Sequence, residues 1–311
     1  MKYKLHLMTV GAIVAIMAVF TGFVFAQQPT TTDTIALSVS PQVFEINANP
    51  GDTVTDSFKI VNGTDIDLTL TATPKNFTPE GEEGGVNLTE DTTSYSLASW
   101  ITVSPNTVVL PARGSQIFDF DIVVPVNAEA GSHLGSVIVQ TKAADLDESG
   151  VAISQETGPL MLLSISGDVQ YGAQIASFTT DSFWEKGPVV FETRITNSGN
   201  VHSKPRGTIE IKNMFGKVVT TIDVQEKNVL PDSTRLLLDE WAADDFIVGK
   251  YTANLALVYG PDDTIMTSST SFVVFPYKTI VPITLGVILL VYLAVRYRSR
   301  ITKAGKALSG K

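Results

Sequence analysis

The sequence predicts an all-β protein: two tandem immunoglobulin-like β-sandwiches plus one C-terminal transmembrane helix. Three observations predict it. Short runs alternate apolar and polar residues and are separated by turn residues, which is the periodicity of strands. No window between 35 and 275 offers a sustained helical stripe. Beyond 275 the alternation gives way to an uncharged run followed at once by arginines. Many short strands without intervening helices read as sandwiches.

Taken in order, residues 1–26 have the pattern of a secretory signal peptide: Lys2 and Lys4, an apolar run from Leu7 to Phe25, then Ala26 before a polar spacer. A first immunoglobulin-like domain is expected over 35–168. In it Ile66, Leu68, Leu70 and Ala72 share one face of a strand, as do Phe118, Phe120, Ile122 and Val124, with acids and threonines on much of the other. Asn49-Pro50-Gly51-Asp52, Asn62-Gly63-Thr64 and Pro111-Ala112-Arg113-Gly114 supply the turns. A second domain is expected over 171–275, where Val189, Phe191, Thr193 and Ile195 alternate with polar neighbours, as do Tyr251, Ala253, Leu255, Leu257 and Tyr259. Pro79 to Ser94 and Ala143 to Glu156 are polar and acidic and read as long exposed loops.

The uncharged run Thr279 to Val295 predicts a transmembrane helix over 277–297, and the cations from Arg296 onward predict a basic cytoplasmic tail over 298–311. The expected topology is a single-pass membrane protein with its body outside the cell and its tail inside. Tyr277, Tyr292 and Tyr297 are expected near the interfaces.

Composition narrows the function classes. The 311 residues include 22 Lys and Arg, 32 Asp and Glu and no Cys. Without Cys there is no disulfide scaffold, no thiol nucleophile and no Cys-ligated metal. Eight of the cations lie at the two ends, so between 27 and 278 14 basic residues face 32 acidic ones, a net of −18. A nucleic-acid partner is excluded on that balance, because phosphate neutralisation needs clustered cations.

The search for chemistry yields little. His133 and His202 sit beside small polar residues in what read as surface turns, with no triad in view. No hydrolase, metalloprotease, phosphate-loop or dinucleotide motif is present, so the chain is read as a non-enzyme that needs no cofactor. Paired acids occur at Asp65/Asp67, Asp119/Asp121, Asp244/Asp245 and Asp262/Asp263, and the two-residue spacing of Asp119 and Asp121 is automatic on a strand's solvent face. Asp145, Asp147 and Glu148 are the calcium candidates, three carboxylates in one loop. Trp100, Trp184 and Trp241 would form a carbohydrate platform if their rings were exposed, but Trp100, just before the Ile101-Thr102-Val103 strand, is read as core, and no sugar site is named. Asn62, Asn76 and Asn87 stand in glycosylation sequons but are read as turn and strand composition.

A resemblance adds to this. Ser40-Pro41-Gln42-Val43-Phe44, Pro50-Gly51-Asp52-Thr53, Val61-Asn62-Gly63-Thr64-Asp65, Trp100-Ile101-Thr102-Val103-Ser104-Pro105, Val109-Leu110-Pro111 and Val124-Pro125 through Ser132-His133 resemble, in that order, the N-terminal domain of the WxL-interacting cell-surface proteins of Gram-positive bacteria. The resemblance covers roughly 36–168 and implies a peptidoglycan-associated sandwich followed by a second surface domain, a membrane helix and a basic tail. Asn197-Ser198-Gly199-Asn200 and Val229-Leu230-Pro231 in the second block resemble generic bacterial surface domains instead. The function expected is a membrane-anchored, non-enzymatic surface protein that contacts peptidoglycan or a surface protein partner. The alternative expectation is a pilus-type assembly chaperone, which also uses two immunoglobulin-like domains, or an accessory subunit of a membrane complex.

Overall fold

A computed structural model of the chain describes residues 37–141, 155–243 and 247–308. The first lobe contains β1 (Leu37–Ser40), β2 (Val43–Ala48), β3 (Thr53–Asn62), β4 (Leu68–Glu80), β5 (Gly85–Thr89), β6 (Ile101–Ser104), β7 (Thr107–Leu110), β8 (Ser115–Val123), β9 (Gly131–Thr141), β10 (Glu156–Thr157) and β11 (Leu160–Ile165). One sheet runs β1-β3-β8-β6, and the facing sheet runs β2-β11-β9-β4-β5, with β7 on β4 and β10 on β9. Side chains of a strand alternate between faces, and β8 shows the result: Phe118, Phe120 and Ile122 are buried while Asp119 and Asp121 face solvent. Phe58 stacks on Phe118 at 5.4 Å and Phe44 meets Phe120 edge-on at 5.1 Å, so aromatic rings fill the space between the sheets.

The second lobe contains β12 (Ala173–Thr179), β13 (Phe183–Trp184), β14 (Val189–Asn197), β15 (Arg206–Asn213), β16 (Val218–Asp223), β17 (Ser233–Trp241), β18 (Gly249–Tyr259) and β19 (Thr264–Val274). Its sheets run β12-β14-β17 and β13-β19-β18-β15-β16. The alternations at 189–195 and 251–257 place Phe191, Ile195, Ala253, Leu255 and Leu257 in its core, where Trp241, Tyr251 and Phe272 cluster. All of this is all-β architecture of the immunoglobulin-like sandwich kind, with one α-helix among the described residues.

The two lobes repeat one device. In each, the first strand leaves its sheet and a second piece joins the facing sheet in parallel: β2 beside β11, and β13 beside β19. In each, a buried Asn ends a long strand and ties the sandwich across to a Val-Leu-Pro turn. Asn62 Nδ2 donates to Ile66 O at 2.8 Å and Pro111 O at 3.0 Å, while Oδ1 accepts Thr64 N–H at 2.9 Å. Asn197 Nδ2 donates to Val201 O at 2.7 Å and Val229 O at 3.0 Å, while Oδ1 accepts Gly199 N–H. Both turns then pass through a left-handed residue, Arg113 (φ 56°) and Asp232 (φ 54°). The sequons at Asn62 and Asn76 are thus buried hydrogen-bonding positions.

Several expectations are corrected. Ile66 precedes β4 and is 63% exposed instead of starting its inward face. Most of the loop expected at Pro79 to Ser94 is a hairpin, because β4 continues to Glu80 and pairs with β5 from Asn76↔Thr89 to Glu80↔Gly85. The signal peptide at 1–26, most of the loop at 143–156 and the Asp244/Asp245 pair lie outside the described residues.

The expected membrane anchor is also corrected. Helix α1 (Tyr277–Leu308) occupies its place, with Pro282 inside it and exposed apolar side chains that include Val281, Ile283, Leu285, Leu290 and Val295. Its uncharged run, Thr279 to Val295, rises only about 25 Å, short of a hydrocarbon core of about 30 Å. Extending the run backward meets Lys278, which is ion-paired with Glu185 of the second lobe. Among the described residues no helix is long and apolar enough to cross a membrane. The single-pass topology, the partnership with a membrane, and the outside body with a cytoplasmic tail are therefore not supported.

Candidate functional site

From Ala36 onward the chain forms one compact unit, and its two lobes meet along a cleft. The hinge is built on Asn200, which follows the Asn197 turn. Its side-chain Nδ2 donates to Ala130 O at 3.1 Å and Asp168 O at 3.2 Å, its Oδ1 accepts Gln170 N–H at 2.8 Å, and its carbonyl accepts Ser132 N–H at 2.8 Å. One residue of the second lobe thus holds both β9 and the linker. Gly131 (φ 117°) is required at that contact, since a Cβ there would lie 2.4 Å from Asn200 O. Ser132 Oγ accepts the His202 N–H at 2.8 Å and lies 2.7 Å from His202 Nδ1.

Above the hinge the lobes enclose a cavity of about 410 Å³. Phe77, Leu160 and Leu162 from the first lobe and Leu230 from the second give it apolar walls, and the same residues form a small hydrophobic cluster of their own. The hairpin of β4 and β5 closes one end. Glu82 at its tip accepts the Leu236 N–H through its carbonyl at 2.7 Å and pairs with Arg194 Nε through its carboxylate at 2.8 Å. Tyr95 Oη donates to Asp232 at 2.9 Å nearby.

The charged groups of the cleft divide into satisfied and unsatisfied ones. Lys204 Nζ and Asn228 Nδ2 both donate to Glu45 Oε1, at 2.9 and 2.7 Å. Burial pushes the Glu45 carboxyl up, but the two hydrogen bonds and the Lys204 charge outweigh it and hold Glu45 below the ordinary glutamate range. Lys204 is thereby spent on Glu45. Arg235 is different: burial pushes its guanidinium below the ordinary value, with Glu83 opposing, and its Nε is buried without a partner. Asn228 Oδ1 is likewise buried and unpartnered. Such groups cost free energy unless a ligand completes them. The cleft therefore offers a buried cationic donor at Arg235 and a buried neutral acceptor at Asn228 between apolar walls, with Glu226 and Lys227 also on its lining.

The residues singled out from sequence fall elsewhere. Asp145, Asp147 and Glu148 lie outside the described residues, and no group of acids and histidines suited to a metal exists among the described ones. Asp65 forms a two-pronged pair with Arg113, Asp67 accepts Ala112 N–H, and Asp263 pairs with Arg206. Trp100 packs on the first core, 4.4 Å from the His133 ring, and Trp241 lies in the second; Trp184 is half-buried with its Nε1 donating to Asp181 O. The two histidines are not surface residues. His133 is buried within β9, its Nε2 3.0 Å from Glu129 O, and His202 is half-buried at the hinge, where burial pushes its pKa down, opposed by Glu45 and reinforced by Lys204. Sequence reasoning missed Arg235, Asn228 and Asn200, all of which act between lobes.

No family model matches the chain, and no curated relative does. Solved structures give weak likenesses. A class 5 fimbriae chaperone, CfaA, is 12% identical with a TM-score of 0.38, covering 76% of this chain and 99% of its own. The CsuC–CsuE chaperone–tip adhesion subunit pre-assembly complex of Acinetobacter baumannii gives 14%, 0.37, 75% and 97%. The PapD-like domain of human CEP192 gives 13%, 0.30, 45% and 92%. At this identity such likenesses concern the fold alone, and none of their residues is transferred here. The expected membership of the WxL-interacting family is corrected: no family model and no curated relative supports it, nor the peptidoglycan contact and cell-surface role it implied.

Proposed function

We propose that the chain is a non-enzymatic assembly protein of the chaperone type, holding an extended segment of another polypeptide in the cleft between its two sandwiches. The observation that carries this reading is the pairing of a buried, partnerless Arg235 Nε and Asn228 Oδ1 with apolar walls. A polypeptide segment supplies what is missing: an acceptor for Arg235, an amide donor for Asn228 and side chains for the walls. The Asn200 hinge fixes the two walls at a set separation, which lowers the ordering cost of binding.

The test is deletion of the gene in its native cells, followed by comparison of exported proteins. A protein that aggregates or disappears on deletion should return with the wild-type chain and fail to return with Arg235→Glu, whose carboxylate repels the same acceptor. The purified variant should melt within a few degrees of wild type, because the side chain makes no hydrogen bond through Nε. An unchanged set of exported proteins after deletion overturns the reading.

A further inference from the structure

The cavity opens onto a strand edge. Ser233, Thr234 and Arg235 line the cleft and are also the first residues of β17. β14 pairs with β17 along its whole length, from Asn197↔Ser233 to Val189↔Trp241, and β17 is the last strand of its sheet. The Leu236 N–H points to the open side, since it donates to Glu82 O of the hairpin. Hydrogen-bonding groups of an antiparallel strand alternate sides residue by residue. The main-chain groups of Leu238 and Glu240 therefore point the same way, and among the described residues they have no partner there. Leu238 is 46% exposed.

The hairpin tip occupies only the first rung of this edge. Glu82 holds it twice, by its carbonyl on Leu236 and by its carboxylate on Arg194, which stands directly opposite Leu236 in the ladder. Gly84 lies flat on Arg235, where a Cβ would sit 1.4 Å from Nη1. Both residues of the Arg194–Glu82 pair are partly exposed, so the pair is weak and reversible.

We propose that the outward edge of β17 accepts an extended segment of the partner polypeptide as an added strand, and that the hairpin tip is a cap which this segment displaces. The proposal rests on the reading of the cleft as a polypeptide site and names where the segment goes on leaving it. Exposed edge strands pair with extended chains through main-chain hydrogen bonds. The chemistry fitted to this edge is an alternating segment whose apolar residues cover Leu236 and Leu238 and whose cation, on the same face, meets Glu240 two residues on along β17; Glu192, opposite Leu238 on β14, is already paired with Arg194 at 3.1 Å.

The full chain is titrated with a fluorescein-labelled Lys-Thr-Val-Thr-Val-Thr-Lys peptide, whose valines and lysines share one face, and followed by anisotropy. Glu82→Lys, which sets like charges at the tip, should tighten binding roughly three- to tenfold by releasing the cap. Leu238→Pro removes the outward N–H without touching a bond to β14 and should weaken binding by at least about tenfold. As a readout independent of variants, amide exchange at Leu238 and Glu240 should slow when peptide is added to wild type. Equal affinities for wild type, Glu82→Lys and Leu238→Pro, or unchanged exchange at those amides, overturn the edge proposal. If Arg235→Glu alone then loses the peptide, the cleft reading survives that failure. Self-association of Glu82→Lys in place of peptide binding assigns the edge to a second copy and also overturns it.

Discussion

Asn197→Ala should lower the stability of the second lobe by about 3 kcal/mol, a large effect for one polar side chain. The side chain is fully buried, and truncation strands the Val201 carbonyl and the Gly199 N–H, which it serves at 2.7 and 3.0 Å. Val229 O is spared because Ser203 N–H also reaches it. Each stranded buried group costs roughly 1–3 kcal/mol, and the loss of native contacts adds to that. Urea unfolding followed by the fluorescence of Trp241, which lies in the same core, checks the figure. Asn197→Asp supplies a second arm: a carboxylate cannot donate to Val201 O and Val229 O, so it should be worse than Ala at neutral pH and improve on acidification. A shift below about 0.5 kcal/mol for Ala would mean that the turn relaxes and the Asn is not its tie.

The same substitution at Asn62 should act on the first lobe alone, because each Asn spans only its own sandwich. The repeat behind this was half legible. Asn62-Gly63-Thr64 and Val109-Leu110-Pro111 stand in the sequence, as do Asn197-Ser198-Gly199 and Val229-Leu230-Pro231, but nothing in a linear string says that each Asn reaches its Val-Leu-Pro turn some 30 to 50 residues away.

Strand periodicity gave most of the architecture, since Phe118, Phe120 and Ile122 or Val189, Phe191 and Ile195 can only alternate in this way if one face is buried. It failed where tertiary context overrules local composition. Pro79 to Ser94 is rich in Gly and Glu, which mark loops, yet most of it, through Thr89, forms a hairpin, whose tip the second lobe holds by giving Glu82 two partners. His133 reads as a turn residue after Gly131-Ser132, yet β9 begins there and buries it under Trp100. The cleft itself was not legible at all. Arg235 and Asn228 look like any exposed polar residues until the lobes dock and remove their water.

Asp239→Asn should stabilise the second lobe by about 1–2 kcal/mol at neutral pH. Asp239 points inward from β17, is 3% exposed, and keeps one carboxylate oxygen without a partner while the other accepts Gln225 N–H at 3.0 Å. Burial pushes its pKa up; the Gln225 N–H and the Lys227 charge pull it down but do not prevail. A carboxyl whose folded pKa lies above its unfolded value favours folding while protonated, so its contribution is complete below the unfolded pKa and is lost as pH rises through the folded one. At neutral pH the wild type therefore carries the cost of a buried charge. The amide keeps the oxygen used by Gln225 and removes that charge. The advantage of the variant should be largest near neutrality and shrink to nothing as pH falls below the ordinary aspartate range, giving melting curves that converge in acid. A gap that stays constant from neutral to acid pH would show that the substitution acts through packing and that the Asp239 charge is not what the fold is resisting.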